Sequence, residues 1–250
     1  MNQQITTTIG LEKEYEVKEH VIKTNDKAAT RQTIINRVNN NLKERFGTQF
    51  IERSGWKAKP PKKKLTEGWN YNAIVIHHQG NSNFGFCCGD PINETQKIQQ
   101  SEMKGSQNFD DIGYHYIVSC EGNILEGRDI RFQGSHVNEN NSNKIGILLL
   151  GDYSEIGELS WDKRGSIRDY LIDNLDLFYS LSVPEIQGYA CITLIEALLS
   201  VFFIKQLGGH REFALPGDHR TCPGNVGMQF VTYLRQHFQL SAPEKGKRNE

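Results

Sequence analysis

The sequence contains no apolar run long enough to cross a membrane. Its longest, ALLSVFFI over residues 197–204, has the length of a segment in a buried core helix. The first twenty residues lack a basic start, an apolar centre and a small-residue cleavage site, so no signal peptide is predicted. We therefore expect a chain made in the cytoplasm without a membrane span, which would leave only by a route that needs no such signal.

The chain also lacks an excess of basic residues. Its formal net charge of -1 and its pI near 6.7 argue against a general nucleic-acid-binding protein. At 250 residues, with 37% hydrophobic residues, it can bury a full core. These numbers predict a soluble globular domain of ordinary size with appendages.

The chain has five cysteines, an odd number. Of the five, Cys120 and Cys191 lie in apolar patterns and are expected to be buried thiols. Cys87 and Cys88 are adjacent in sequence, and neighbouring cysteines seldom bridge, so we interpret them as two loop thiols. Cys222 remains as a candidate metal ligand.

Alternating and apolar segments predict a sheet with helices packed against it. The predicted strands are 73–78, 113–120, 124–126 and 144–151. The predicted helices of this region are 91–104, 161–181 and 184–207. The expected fold class is α/β, with a central mixed β-sheet flanked by helices.

The two ends of the chain differ from its centre. Residues 28–46 place apolar side chains at helical spacing and are followed by Gly47, which predicts one amphipathic helix. That helix either packs on the domain or serves as a docking arm for a partner or for export machinery. The expected division is an N-terminal extension over 1–50, a domain over 51–240, and a charged, disordered tail over 241–250.

Two histidines and one cysteine on separate elements match the donor set of an open zinc site. His77 ends a predicted buried strand, His210 follows Gly208-Gly209, and Cys222 lies shortly after. Imidazole and thiolate suit zinc, and three protein ligands leave a fourth position for water, whose pKa falls to about 7 there. Each residue alone has an ordinary structural explanation; their joint occurrence points to a metal.

Six segments in order carry a resemblance to a known family. They are IVIHH at 74–78, DDIGYHY at 110–116, NILEGR at 123–128, GSH at 134–136, KIGI at 144–147, and GHRE through TCPG over 209–224. This set resembles the type 2 N-acetylmuramoyl-L-alanine amidases, in the branch shared by peptidoglycan recognition proteins and phage lysozyme-like amidases. The segment RSGW at 53–56 is similar to the start of recognition-protein domains. The resemblance runs from about 51 to 239 and implies a recognition protein/amidase-like fold, with residues 154–182 as an insertion.

The resemblance implies roles for the residues that fall on motif positions. It makes His77, rather than His78, a zinc ligand together with His210 and Cys222. Tyr114 falls on a tyrosine that assists catalysis. Arg220 falls where relatives place a residue that supports the oxyanion, which suits the charge that develops on the scissile carbonyl oxygen.

A second set of residues is implied to bind the substrate. His136 matches a histidine that lines the peptide groove, and His78 and Arg211 are assigned to substrate binding beside the ligands. The loop from His210 to Cys222 is longer than in the recognition proteins, which affects the placement of Arg220.

The implied activity is zinc-dependent hydrolysis of the amide between the lactyl group and L-alanine in bacterial peptidoglycan. Two alternatives keep the same fold: a non-catalytic peptidoglycan-binding module, in which Cys222 would typically be replaced, and an endopeptidase of the stem peptide. Recycling enzymes of this fold usually carry a glutamate on the central strand, where this chain has Leu148 and Leu149. We therefore expect an effector of bacterial antagonism or a lytic enzyme of phage or bacterial origin. It would act on the wall in the periplasm, including that of a target cell, and its partners would be an immunity protein or secretion machinery.

Overall fold

The computed structural model describes residues 26–80, 89–155, 158 and 182–244. The strands are β1 (Phe50–Ile51), β2 (Ala73–His78), β3 (Tyr116–Val118), β4 (Ile124–Glu126), β5 (Lys144–Leu149) and β6 (Gln206–Gly209). The helices are α1 (26–46), α2 (Pro91–Lys104), α3 (Glu185–Leu199), α4 (His210–Phe213) and α5 (Gly224–Phe238). None of the helices within these ranges is both long and apolar enough to span a membrane.

The six strands form one mixed sheet in the order β1-β4-β3-β5-β2-β6. Strands β3 and β4 pair antiparallel, and every other neighbouring pair is parallel. The central strand β2 lies between β5 and β6, so its carboxyl end meets theirs at one edge of the sheet. The predicted α/β class with a mixed sheet is confirmed.

Side-chain alternation along β2 separates core from site. Ile74 and Ile76 point into the larger hydrophobic core, whereas Val75 points to the opposite face, beside Val137. His77, the next residue on the Val75 face, therefore leaves the core at the carboxyl end of the strand. The same alternation on β5 places Ile147 in the larger core and Leu148 on the opposite side.

The helix α1 is part of the larger core rather than a free arm. Ile34, Ile35, Val38 and Leu42 are all buried there against the sheet and α3. Arg31 fastens the helix to β4: its Nε donates to Oε1 of Glu126 at 2.6 Å, and Nη2 donates to Glu52 at 3.1 Å. The division of the chain into extension, domain and tail stays a prediction.

Two predictions need correction. The helix expected over 184–207 ends at Leu199, and residues 206–207 belong to β6, because a continuous apolar run does not reveal where a buried helix gives way to a buried strand. Cys120 is disulfide-bonded rather than a free thiol, since an apolar sequence pattern does not show whether a cysteine has a sulfur partner.

Of the remaining predictions, one is confirmed and the others fall on residues that the structure does not describe. Cys191 is the buried free thiol that was expected. The helix expected over 161–181, the residues Cys87 and Cys88, and most of the insertion and the tail lie outside the described residues.

The ion pair between Arg31 and Glu126 predicts a large stability effect. Glu126 keeps only 3% side-chain exposure, so Arg31→Ala would leave a buried carboxylate without its cation. We expect unfolding free energy to fall by about 3–5 kcal/mol in denaturant titrations. Lys27→Ala, which removes an exposed pair with Glu67, is the matched control and should cost about 1 kcal/mol or less. Equal effects of the two substitutions would contradict the account.

Candidate metal centre and groove

The parallel pairing of β2 with β6 brings two histidines to the same edge of the sheet. Ile76 is the register partner of Gly209, so the residues that follow, His77 and His210, emerge side by side. Their ring centroids are 4.6 Å apart. His210 begins α4 directly after the strand, so its position is set by the strand end and the first helical turn.

Cys222 completes the cluster from the loop that follows α4. The backbone N–H of Arg211 donates to the carbonyl of Cys222 at 2.9 Å, which holds the end of that loop against α4. The Cys222 sulfur lies 3.7 Å from Nδ1 of His77. One donor atom each from His77, His210 and Cys222 lies within 4.8 Å of the others, and the described residues contain no second cluster of this kind.

Burial sets the protonation of the three donors. It lowers the pKa of His210 to about 4 and, with the neighbouring histidines, holds the pKa of His77 well below its usual range. Burial raises the pKa of the Cys222 thiol to about 12. The histidines are thus neutral, the form in which imidazole binds metals, whereas the thiol has to release its proton on binding.

The donor set fits a zinc ion. Two imidazole nitrogens and one sulfur are ligands that zinc accepts in sites with an open fourth position. Nε2 of His210 is buried, and it has no hydrogen-bond partner within the part of the chain that the structure describes. A buried polar atom without a partner is costly unless something such as a metal engages it. The predicted grouping of His77, His210 and Cys222 is present in the structure.

His136 lies directly behind His77. Its Nδ1 is 3.1 Å from Nε2 of His77, while Nδ1 of His77 faces Cys222. The ring fits a slot that only glycines leave open, because a Cβ on Gly134 or on Gly146 would approach its Cδ2 to 2.5 Å. His136 was predicted to bind substrate; it does line the groove, but its ring forms a polar contact with a candidate ligand, His77.

Tyr114 covers the other side of His77. The two ring centroids are 5.0 Å apart, and the Tyr114 ring also stacks on His136 at 6.3 Å. Burial, with the carboxylate of Glu102, raises the Tyr114 pKa well above its ordinary value, so the hydroxyl stays protonated and can donate a hydrogen bond.

One prediction about Tyr114 is wrong. The predicted strand 113–120 would place Tyr114 on the same face as Tyr116, because side chains alternate along a strand. Instead, Tyr114 packs beside the smaller core, whereas Tyr116 packs in the larger one, against Phe50. The strand begins only at Tyr116, so the period of two does not extend back to residue 114.

Arg220 and His78 both line the groove beside the cluster. Nε of Arg220 donates to Oδ1 of Asp218 at 2.7 Å, and the guanidinium remains partly exposed. His78 is held more tightly: its Nδ1 accepts from the N–H of Tyr153 at 3.1 Å and lies 3.3 Å from Asp152.

Arg211 is not among the residues that line the groove, and its assignment to substrate binding stays a prediction. Its Nη1 donates to Asn225 at 2.8 Å, and Nη2 donates to Glu158 and to the carbonyl of Thr221. With most of its donors engaged inside the protein, Arg211 secures the segment that carries Cys222.

The cluster opens into a groove of about 640 Å³. Besides the residues already described, side chains from the end of α2, the segment after it and the 135–141 loop form its walls; they include Glu102, Gln107, Phe109, Ser135 and Asn141. None of these was identified from the sequence, because isolated polar residues on a polar helix or loop carry no periodic or motif signal.

The fold and the site together define an α/β domain with a two-histidine, one-cysteine cluster at the edge of a mixed sheet. The model of the N-acetylmuramoyl-L-alanine amidase family matches residues 67–225. The chain belongs to this family.

Individual relatives agree with that assignment. Peptidoglycan-recognition protein SD of Drosophila melanogaster is 31% identical over 110 residues, which is 42% of this chain and 56% of the relative. The chain thus spans little more than half the length of this curated relative.

Solved structures show the same fold. The endolysin amidase LysCS of Clostridium intestinale URNW aligns with a TM-score of 0.54 and 21% identity, over 77% of this chain and 97% of that one. Peptidoglycan recognition protein-LE, solved in complex with monomeric diaminopimelic acid-type peptidoglycan, aligns with a TM-score of 0.56 and 18% identity, over 77% and 95% of the two chains.

The contact between His136 and His77 predicts a role in metal affinity. If Nδ1 of His77 binds the metal, its Nε2–H donates to His136, as partners behind metal-binding histidines usually accept. His136→Leu removes the acceptor and should weaken zinc binding by about 10–100-fold in chelator competition. His136→Asn can offer an amide oxygen near the position of Nδ1 and should retain most of the affinity. Equal affinities of both variants and the parent would refute this role.

Proposed function

We propose that the protein is a zinc-dependent N-acetylmuramoyl-L-alanine amidase that hydrolyses the lactyl-L-alanine amide of bacterial peptidoglycan. The observation that carries the proposal is the cluster of His77, His210 and Cys222, of which His210 and Cys222 line the groove. Membership of the amidase family and the fold shared with an amidase endolysin support the same activity.

The three clustered residues would hold the zinc, which supplies Lewis acidity and a nucleophile at neutral pH when it is bound. Hydrolysis adds the oxygen of water to the carbonyl carbon, breaks the carbon–nitrogen bond and transfers one proton to the L-alanine nitrogen, which leaves as a free amine. Negative charge grows on the carbonyl oxygen during the addition.

Tyr114 and Arg220 are the residues that would meet this charge. The protonated hydroxyl of Tyr114 can donate a hydrogen bond, and its ring lies against His77. Arg220 also lines the groove, and its positive charge is close enough to act on the Tyr114 hydroxyl. Donors and cations fixed in place before the charge develops stabilise the transition state without a reorganisation cost.

Peptidoglycan binding without cleavage is the second candidate, because the curated relatives include peptidoglycan-recognition proteins. Cys222 favours the enzyme, since a thiol among two neutral imidazoles has no evident use in a purely binding groove. A neighbour in fold binds monomeric peptidoglycan, which supports a muropeptide as ligand in either case.

The biological setting that we propose is lytic. An effector of bacterial antagonism or an endolysin would use this activity on the wall of a cell, and an effector would need an immunity protein and secretion machinery as partners. Genes for a small exported inhibitor or for a holin beside this gene would distinguish the two.

The bond that is cut tests the proposed activity. Digestion of purified peptidoglycan should release stem peptides that begin with free L-alanine, and mass spectrometry should find the glycan strands without peptide. Cys222→Ala is the matched control and should release none. Cleavage within the stem would indicate an endopeptidase, and binding without any release would indicate a recognition module.

The hydroxyl of Tyr114 offers a second test. Tyr114→Phe keeps the ring but removes a donor to the developing oxyanion, so turnover should fall about a hundred- to thousandfold while zinc content stays unchanged. Tyr116→Phe is the matched control, because Tyr116 lies on the other side of the sheet, in the larger core. Turnover of Tyr114→Phe within about threefold of the parent would show that the hydroxyl does not act in the reaction.

A further inference from the structure

We infer that Glu102 is a specificity-determining residue that recognises an alkylammonium group of the substrate in the groove. The inference rests on the proposed function for the identity of the substrate, but its evidence is separate from the metal cluster. It concerns a carboxyl group that neither the resemblance nor the family assignment singles out.

Glu102 stands in the last turn of α2 and points into the groove wall. Its Oε2 accepts a hydrogen bond from the N–H of Gly113 at 2.8 Å. Gly113 immediately precedes Tyr114, so the carboxyl group lies next to the proposed catalytic tyrosine. Its charge is close enough to contribute to the raised pKa of Tyr114.

The carboxyl group of Glu102 has no cation of its own. The hydrogen bond to Gly113 is its one polar contact among the described residues, and no lysine, arginine or histidine in them forms an ion pair with it. Oε1 therefore keeps its acceptor capacity for a ligand. A half-buried carboxyl group that lacks a cation is unusual in a folded core and common where a ligand supplies the charge.

The charged groups near Glu102 do not form an ion pair with it. Arg128 influences Glu102 only through its electric field and forms no hydrogen bond with it. The Arg128 guanidinium instead donates to the carbonyls of Ile112, Asp111 and Gln133 and to the hydroxyl of Ser135. The carboxylate of Asp111 is paired with Arg53 at 3.0 Å. Burial accordingly raises the pKa of Glu102 to about 7.

An ammonium group is the ligand chemistry that satisfies this site. It would restore the ionised carboxylate through a charge-assisted hydrogen bond, which is stronger than a neutral one. The groove would then engage two charged groups of the substrate: Arg220 would meet the developing oxyanion, and Glu102 would meet an ammonium group.

Peptidoglycan offers this chemistry from two sources. One is the side-chain amine of the third stem residue, which is free only in stems that are not cross-linked through it. The other is the sugar amine that remains when muramic acid lacks its acetyl group. Recognition of the first would direct the enzyme to stems that are not cross-linked, and recognition of the second to deacetylated strands.

The test compares three synthetic muramyl tripeptides on the parent enzyme and on Glu102→Gln. One has lysine at the third position, one has Nε-acetyl-lysine, and one has Nε-acetyl-lysine on a de-N-acetylated sugar. Glutamine keeps an oxygen for the N–H of Gly113, so the variant should fold and melt as the parent does. Glu44→Gln, which removes an exposed charge on α1, is the matched control.

The parent should bind the lysine or the deacetylated substrate with a KM at least about tenfold below that of the fully acetylated one, with kcat little changed. The substrate that shows the advantage identifies the source of the amine. Glu102→Gln should abolish the advantage and leave the acetylated substrate unaffected. No discrimination by the parent, or an equal loss of kcat on all three substrates, would overturn the inference.

The Kd values of the same compounds, measured by titration calorimetry, test this inference independently of the proposed function. If the parent hydrolyses none of them, the amidase proposal fails. An amine-dependent difference in Kd that Glu102→Gln removes would still establish the site, and its absence would reject the site.

Discussion

The close approach of β6 to the segment that carries Cys222 is the constraint on which the site depends. Gly208 and Gly209 form the end of β6, and neither position has room for a side chain. A Cβ on Gly209 would lie 2.4 Å from the Met228 sulfur and 2.6 Å from Pro223, and one on Gly208 would lie 2.8 Å from Pro243. Because Pro223 follows Cys222 directly, this contact is what brings the sulfur to the two histidines. The glycine pair thus allows the backbones to approach closely, at the cost of the larger conformational entropy that glycine loses on folding.

Glycines also make room for the residues that lie behind His77. His136 occupies the space left by Gly134 and Gly146, and Gly146 also donates its N–H to Nδ1 of His115 at 3.0 Å. Nε2 of His115 contacts the carbonyl of Phe132 at 3.0 Å, so its neutral form carries the proton on Nε2. A chain of rings and backbone groups therefore supports His77 from behind. Preorganisation of this kind lets the charged steps of a reaction occur without rearranging the protein.

Much of the fold and of the candidate centre was predictable because both depend on local patterns. The strand β2 and the helix α2 begin and end where a short apolar run and the Pro91 start indicated, and motif order grouped His77, His210 and Cys222. Other features were not predictable because they depend on contacts between distant residues. The hydrogen bonds of Arg211, the face on which Tyr114 lies and the missing cation of Glu102 are fixed by partners that no sequence spacing reveals.

The central claim is that the two histidines and the cysteine form one metal centre, and X-ray absorption at the zinc edge tests it most directly. Protein loaded with one equivalent of zinc should show one sulfur at about 2.3 Å and two imidazole nitrogens at about 2.0–2.1 Å. The sulfur shell should disappear in Cys222→Ala. A zinc environment without sulfur in the parent protein, or one that is identical in Cys222→Ala, would contradict the account.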